Sequence, residues 1–168
     1  EGQHGPAGAA ARGLPAQPGQ GPVTERVDFY ILKGAHPSAR DVFACRLVEK
    51  ACQRQLAVLL LAADEGQARQ LDELLWTFDD DSFVPHALLR DGALPDPLTP
   101  VHIALDPARV PASDLVLNLA GCEPDALQRF ARIAEIMDED PERLRRGRER
   151  FRQYRERQWP LETHQIGT

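Results

Sequence analysis

From Arg26 to Leu32 apolar and polar positions alternate, and Val27, Phe29, Tyr30 and Ile31 supply β-branched and aromatic bulk. That pattern predicts a first strand. The period then changes. Phe43, Leu47 and Ala51, joined by Ala44 and Val48, make one stripe at helical spacing. Ser38, with Asp41 three residues on, offers an N-terminal cap, so a helix is expected from there to about Arg54. Leu56 to Leu61 is a short unbroken apolar run, which fits a strand covered on both faces of a parallel sheet. Asp64, with Gln67 at the matching offset, starts a second helix that buries Leu71, Leu74 and Leu75 and ends near Trp76.

Thr77 to Thr99 is rich in Pro and Asp and reads as a long connection, with short strands near Phe83 and Leu94. Val101 to Leu105 and Leu115 to Leu119 read as two more strands. Glu123 to Met137 reads as a helix with Leu127, Phe130, Ile133, Ala134 and Met137 inward. Pro141 suits the first turn of a last, basic helix running to about Trp159. Strand–helix–strand–helix order followed by further strands predicts a single three-layer α/β/α domain over residues 25–160, with a mostly parallel or mixed sheet. Residues 1–24 are rich in Gly, Pro, Ala and Gln and are expected to be a disordered tail, with Val23 a candidate native start. Residues 161–168 are expected to be a C-terminal tail. There is no internal repeat.

Composition is that of a soluble globular protein, with 42% hydrophobic and 27% charged residues. The longest apolar run, Leu56 to Ala63, is far too short to span a bilayer. No stretch near the start combines a basic region with an apolar core, so no signal peptide is expected and the cytoplasm is the consistent compartment. Three cysteines, Cys45, Cys52 and Cys122, form no CxxC pair and argue against a disulfide framework or a zinc site. Charge alters the picture most. The net value is −6, yet Arg143 to Arg157 holds eight arginines against two glutamates, which leaves +6 there and −12 elsewhere. An acidic protein with one concentrated basic helix suits a local anionic partner.

Catalytic motifs are missing. The first strand-to-helix turn, Lys33-Gly34-Ala35-His36-Pro37-Ser38, lacks the glycines that bring backbone up to a pyrophosphate. Neither a GxxxxGK[ST] phosphate loop nor a GxSxG elbow occurs. The five histidines show no metal-ligand spacing, and His86, after Val84-Pro85, is better read as bonded to loop backbone than as a base, since no nucleophile is assignable. Asp79-Asp80-Asp81 reads as a solvated turn, because neighbouring aspartates diverge rather than converge on an ion. No cofactor is expected.

Leu71-Asp72-Glu73-Leu74-Leu75-Trp76 followed by Asp81-Ser82-Phe83-Val84-Pro85-His86 resembles the chi subunit family of bacterial DNA polymerase III. So do the opening Val27-Asp28-Phe29-Tyr30-Ile31-Leu32 and the late Arg148-Glu149-Arg150-Phe151-Arg152-Gln153-Tyr154-Arg155. The resemblance implies a Rossmann-like domain without a nucleotide site, and a non-enzymatic clamp-loader accessory. It implies two partners: the psi subunit, and the acidic C-terminal tail of single-stranded-DNA-binding protein. A helicase competing for the psi surface is implied as well, and DNA contact only through partners. By motif match the tail would meet Arg148, Phe151 and Arg152, with Arg145 and Met137 as further candidates, and psi would meet Trp76 and Phe83. The family often has tyrosine where Phe151 stands and a basic residue where Leu144 stands.

The residues themselves are compatible with that reading. Arg145, Arg148, Arg152 and Arg155 fall along one helix face beside a strip of Leu144, Phe151 and Tyr154. Guanidinium groups clamp a carboxylate bidentately, and an aromatic strip accepts a phenyl ring. The bland alternative is a solvated, salt-bridged helix, although two glutamates inside the segment cannot neutralise eight arginines. A second function is direct binding of single-stranded nucleic acid, with Phe151, Tyr154 and Trp159 stacking on bases. A third is a small α/β enzyme with an unrecognised pocket at the strand C-termini.

Overall fold

The expected strand–helix alternation is present in the computed structural model, which describes residues 24–34, 36–90, 93–110 and 113–167. In chain order the elements are β1 (Arg26–Leu32), α1 (Ala39–Gln53), β2 (Val58–Leu61), α2 (Glu65–Thr77), β3 (His86–Leu88), β4 (Val101–Ala104), a 3-10 turn (Pro107–Arg109), β5 (Leu115–Asn118), α3 (Pro124–Leu127), β6 (Arg132–Met137), α4 (Pro141–Glu156) and β7 (Leu161–Ile166). The seven strands form one sheet in the order β3-β4-β2-β5-β6-β1-β7, and every described pairing is parallel.

Why β2 is apolar throughout is clear from its neighbours. Val58 and Leu60 point into a core with Ala44 and Val48 of α1 and Leu71 and Leu75 of α2. Leu59 and Leu61 point the other way, into a core with Phe130, Tyr154 and Trp159. A strand sandwiched between helical layers has no polar face to show. The result is a three-layer α/β/α domain, with α1 and α2 on one face and α4 on the other.

Local capping is half as expected. Asp64 caps α2 by accepting from Gln67 N at 2.8 Å, and Gln67 Oε1 accepts from Ala63 N at 2.8 Å. Ser38 precedes α1 but makes no side-chain cap; its hydroxyl lies 2.9 Å from His36 Nδ1 instead.

Three expectations are corrected. The segment 123–137 is not one helix: α3 ends at Leu127 and β6 begins at Arg132. Its apolar residues are buried as expected, but Ile133 and Met137 face one core while Ala134 and Ile136 face the other. Two-sided burial in a central strand produces apolar spacing that mimics a helix. The segment 161–168 is not simply a tail, since Leu161–Ile166 pairs along β1 from Val27↔Leu161 to Leu32↔Ile166. No strand forms at Leu94, which is 89% exposed, and the strand expected near Phe83 starts at His86. The tail expected over residues 1–24 lies outside the described residues apart from Thr24. That residue's hydroxyl donates to the carbonyls of Gln128 and Phe130 at 3.1 and 2.8 Å.

Candidate functional site

Two places on the molecule concentrate the residues singled out by sequence. The first is where α2 ends and β3 begins. Trp76, in the last turn of α2, is 52% exposed, and Phe83, in the following loop, is 72% exposed. Their ring centroids are 5.9 Å apart. Large apolar side chains in contact with each other and open to water are the usual mark of a docking surface. Behind Trp76 lies the ring of His86, 4.4 Å away between centroids, in a fully buried side chain. Its Nδ1 is 2.7 Å from the Val84 carbonyl oxygen and its Nε2 is 3.1 Å from that of Asp72. His86 therefore meets the loop backbone at Val84, as the sequence favoured, and the backbone of α2 at Asp72. Asp79 accepts from the Asp81 amide at 3.0 Å in an exposed turn, also as expected.

The second place is α4. Its inward face is Gly147, Arg150 and Tyr154. Gly147 lets the helix approach β6: a Cβ there would collide with the Met137 sulfur. Met137, expected to be a tail contact, is 2% exposed and packed beneath this glycine. Arg150 is buried against Glu135 of β6, donating from Nε and Nη2 at 2.9 Å each. Glu135 also accepts from Tyr154 OH at 2.7 Å and from Asn118 Nδ2 at 2.9 Å. Burial pushes the Tyr154 hydroxyl well above its ordinary pKa, and the Glu135 charge adds to the effect. Tyr154 and Trp159 are both buried, so neither is open for stacking on a base.

Most arginines on α4 are already engaged, which corrects the expectation of an unneutralised helix. Carboxylates outside the counted segment supply the balance. Arg143 pairs with Asp138 at 2.7 Å, Arg145 and Arg146 share Glu142 at 2.7 and 2.9 Å, and Arg157 pairs with Asp125. Arg152 lies between Glu149 and Glu156. Hydrogen bonds from Arg145 and Arg146 hold the Glu142 carboxyl down at about 2. Arg148 and Arg155 are exposed and carry no ion pair among the described residues, and Arg155 lies 5.9 Å over the Phe151 ring. Phe151 itself is half-buried, edge-on to Phe29 at 5.1 Å. Arg148 and Phe151 are one turn apart and so share a surface.

Sequence reasoning did not single out Arg40, Asn118 or Glu135. Arg40, in the first turn of α1, is buried and donates to the carbonyls of Ile136 and Leu119 at 2.9 and 3.1 Å. Burial and the nearby Arg143 charge lower its pKa. It borders a groove of about 590 Å³ at the C-terminal ends of β2, β5 and β6, shared with Asp64, Gln67, Met137 and Arg146. One sequence signal could have found Glu135: a lone acid inside the apolar run Ile133–Met137 needs a buried partner. At the other sheet edge Asp28, Glu162 and His164 bring ligand-type atoms within 4.8 Å of one another. Arg26 already bridges both carboxylates there, at 2.9 and 3.1 Å, and Arg132 lies 3.7 Å from Asp28, so two arginines face the two carboxylates.

An exposed aromatic pair and a basic helix are thus both carried on a parallel α/β scaffold. The sequence profile of the DNA polymerase III chi subunit, HolC, matches residues 24–162. The chain is 40% identical over 141 residues to the DNA polymerase III subunit chi of Pseudomonas aeruginosa, covering 84% of this chain and 96% of that one. It is 31% identical over 146 residues to the protein of the same name from Haemophilus influenzae, covering 86% and 100%. With that from Escherichia coli it shares 30% over 119 residues, covering 70% and 80%. Among solved structures, T4 UvsW superposes with a TM-score of 0.63 at 8% identity, over 90% of this chain and 43% of that one, a likeness of fold alone. This chain belongs to the DNA polymerase III chi subunit family. The family is an accessory, non-catalytic subunit, which ties the chain to DNA replication. Among the described residues no helix is long and apolar enough to cross a membrane.

Proposed function

We propose that this chain is a cytoplasmic adaptor of the replicative polymerase, joining the clamp loader, through the psi subunit, to the acidic C-terminal tail of single-stranded-DNA-binding protein. The observation that carries the reading is the Trp76–Phe83 pair, two touching rings left open to water on a domain with well-filled cores. Aromatic anchors of this kind dominate binding energy because each buries a large area at little rotamer cost. Psi docks there, and a helicase that uses the same anchors would compete with it.

The tail docks on α4. Arg148, like Arg155, has no ion-pair partner among the described residues, and Phe151 beside it lies under Arg155. Arg145 and Arg152 stand on the same face and would exchange their local glutamates for the tail's carboxylates. Direct binding of single-stranded DNA is disfavoured, because six of the eight arginines are already paired and Tyr154 and Trp159 are buried.

The test is fluorescence anisotropy with a labelled acidic peptide ending in proline and phenylalanine. Binding that needs both the terminal phenylalanine and Arg148 supports the adaptor. Binding to bare single-stranded DNA with none to the peptide removes it.

A further inference from the structure

A neutral imidazole carries one N–H and one lone pair, so it can donate from only one ring nitrogen. At His86 both nitrogens face acceptors. Nδ1 is 2.7 Å from the Val84 carbonyl oxygen. Nε2 is 3.1 Å from the Asp72 carbonyl oxygen and 3.1 Å from Asp72 Oδ1. In either neutral tautomer one nitrogen would turn its lone pair on an oxygen lone pair at hydrogen-bond distance, and the side chain has no access to water that could relieve the clash. Only the doubly protonated ring donates on both sides.

The surroundings suit a cation. From α2 come the Asp72 carboxylate and the Trp76 ring, whose centroid is 4.4 Å away. From the preceding loop comes the Val84 carbonyl, with Asp79, Asp80 and Asp81 exposed on the same loop. From β4 comes the register partner Val101, which carries no charge.

We infer that His86 stands as an imidazolium clamping the loop after α2 onto α2 itself, and that this protonated clamp holds Trp76 and Phe83 together as one docking surface. The consequence for binding rests on the psi reading above; the protonation does not. His86 is a positioning residue, since its buried side chain cannot touch a partner. Loss of its second proton removes one of the two bonds, frees the loop that carries Phe83, and separates the rings. Docking of psi therefore weakens when the ring loses its second proton.

Long-range proton–nitrogen spectra of the full, nitrogen-15-labelled chain at about pH 6 and about pH 8 read the ring directly. Both His86 ring nitrogens should carry protons at the lower pH. Psi should bind about tenfold more tightly there than at the higher pH, the loss expected for one hydrogen bond to a charged group. His86→Gln should remove that pH difference. A ring with a single protonated nitrogen at both pH values overturns the inference whatever psi does, and needs no variant to fold. Equal psi affinity at both values, with the ring seen to change state, overturns the positioning role. A protonated ring in a chain that binds no psi at either pH overturns the psi reading and leaves the clamp standing.

Discussion

Arg150 meets Glu135 through two parallel hydrogen bonds of 2.9 Å, in a place where the two side chains are 5% and 0% exposed. Burial works to lower the Arg150 pKa, and attraction and hydrogen bonding from Glu135 outweigh it, so the net shift is upward. The pair, with Tyr154 and Asn118 on the same carboxylate, ties α4 to β6 and β5. Arg150 and Tyr154 are four residues apart, so fixing both inward fixes the roll of the helix. That roll is what turns Arg148 and Arg152 outward.

Removing one member of the pair should be far worse than removing both charges. Arg150→Met strands a buried carboxylate and should cost about 3–5 kcal/mol. Glu135→Gln combined with Arg150→Met keeps an acceptor for Tyr154 and Asn118 and should recover more than half of that loss. Chemical denaturation of the two variants checks it; a double variant no more stable than Arg150→Met would show that the ion pair is not the main source of the cost.

Gly147→Ala should destabilise, against the usual rule. In an open helix the change gains about 1 kcal/mol. Here the new methyl meets the Met137 sulfur beneath α4 and overpacks the contact, at a cost of about 1–3 kcal/mol. The pair Gly147→Ala with Met137→Ala, which opens space for the methyl, should couple strongly in a double-mutant cycle. Additive losses would mean that the two sites do not touch in solution.

Alkaline pH should unfold the protein through its tyrosines. Both Tyr30 and Tyr154 have raised pKa values, in each case chiefly from burial of the hydroxyl. A raised folded-state value contributes stability that is complete below the unfolded value of about 10 and is lost as pH climbs above it. Absorbance of phenolate should therefore appear together with loss of helical circular dichroism. Tyr154 ionising first, in an intact fold, would contradict its burial against Glu135.

Trp76→Ala or Phe83→Ala should abolish psi binding and leave the melting temperature nearly unchanged, because both rings already face water. Calorimetric titration and thermal melts of each variant test this together. A large fall in melting temperature would place the rings in the core instead.

Much of this molecule could be read from its residues, and the rest divides along a physical line. Period-two and period-3.6 patterns marked β1, α1, α2 and α4, the apolar run marked β2, and Asp64 and Pro141 marked two helix starts. The chi-like motifs marked Trp76 and Phe83, which the fold leaves exposed and in contact. These are local signals, each contained within a few turns of chain. What the tertiary structure decided is non-local. β6 looked helical because a strand buried on both faces repeats apolar residues as densely as a helix, and only its place between β5 and β1 resolves the ambiguity. β7, with its half-polar composition, becomes a strand because the β1 edge is there to pair with. Which arginines of α4 are spoken for depends on carboxylates on other elements, such as Glu135 on β6 and Asp125 on α3. Charge along a chain is local, but its neutralisation is set by whatever the fold brings within reach.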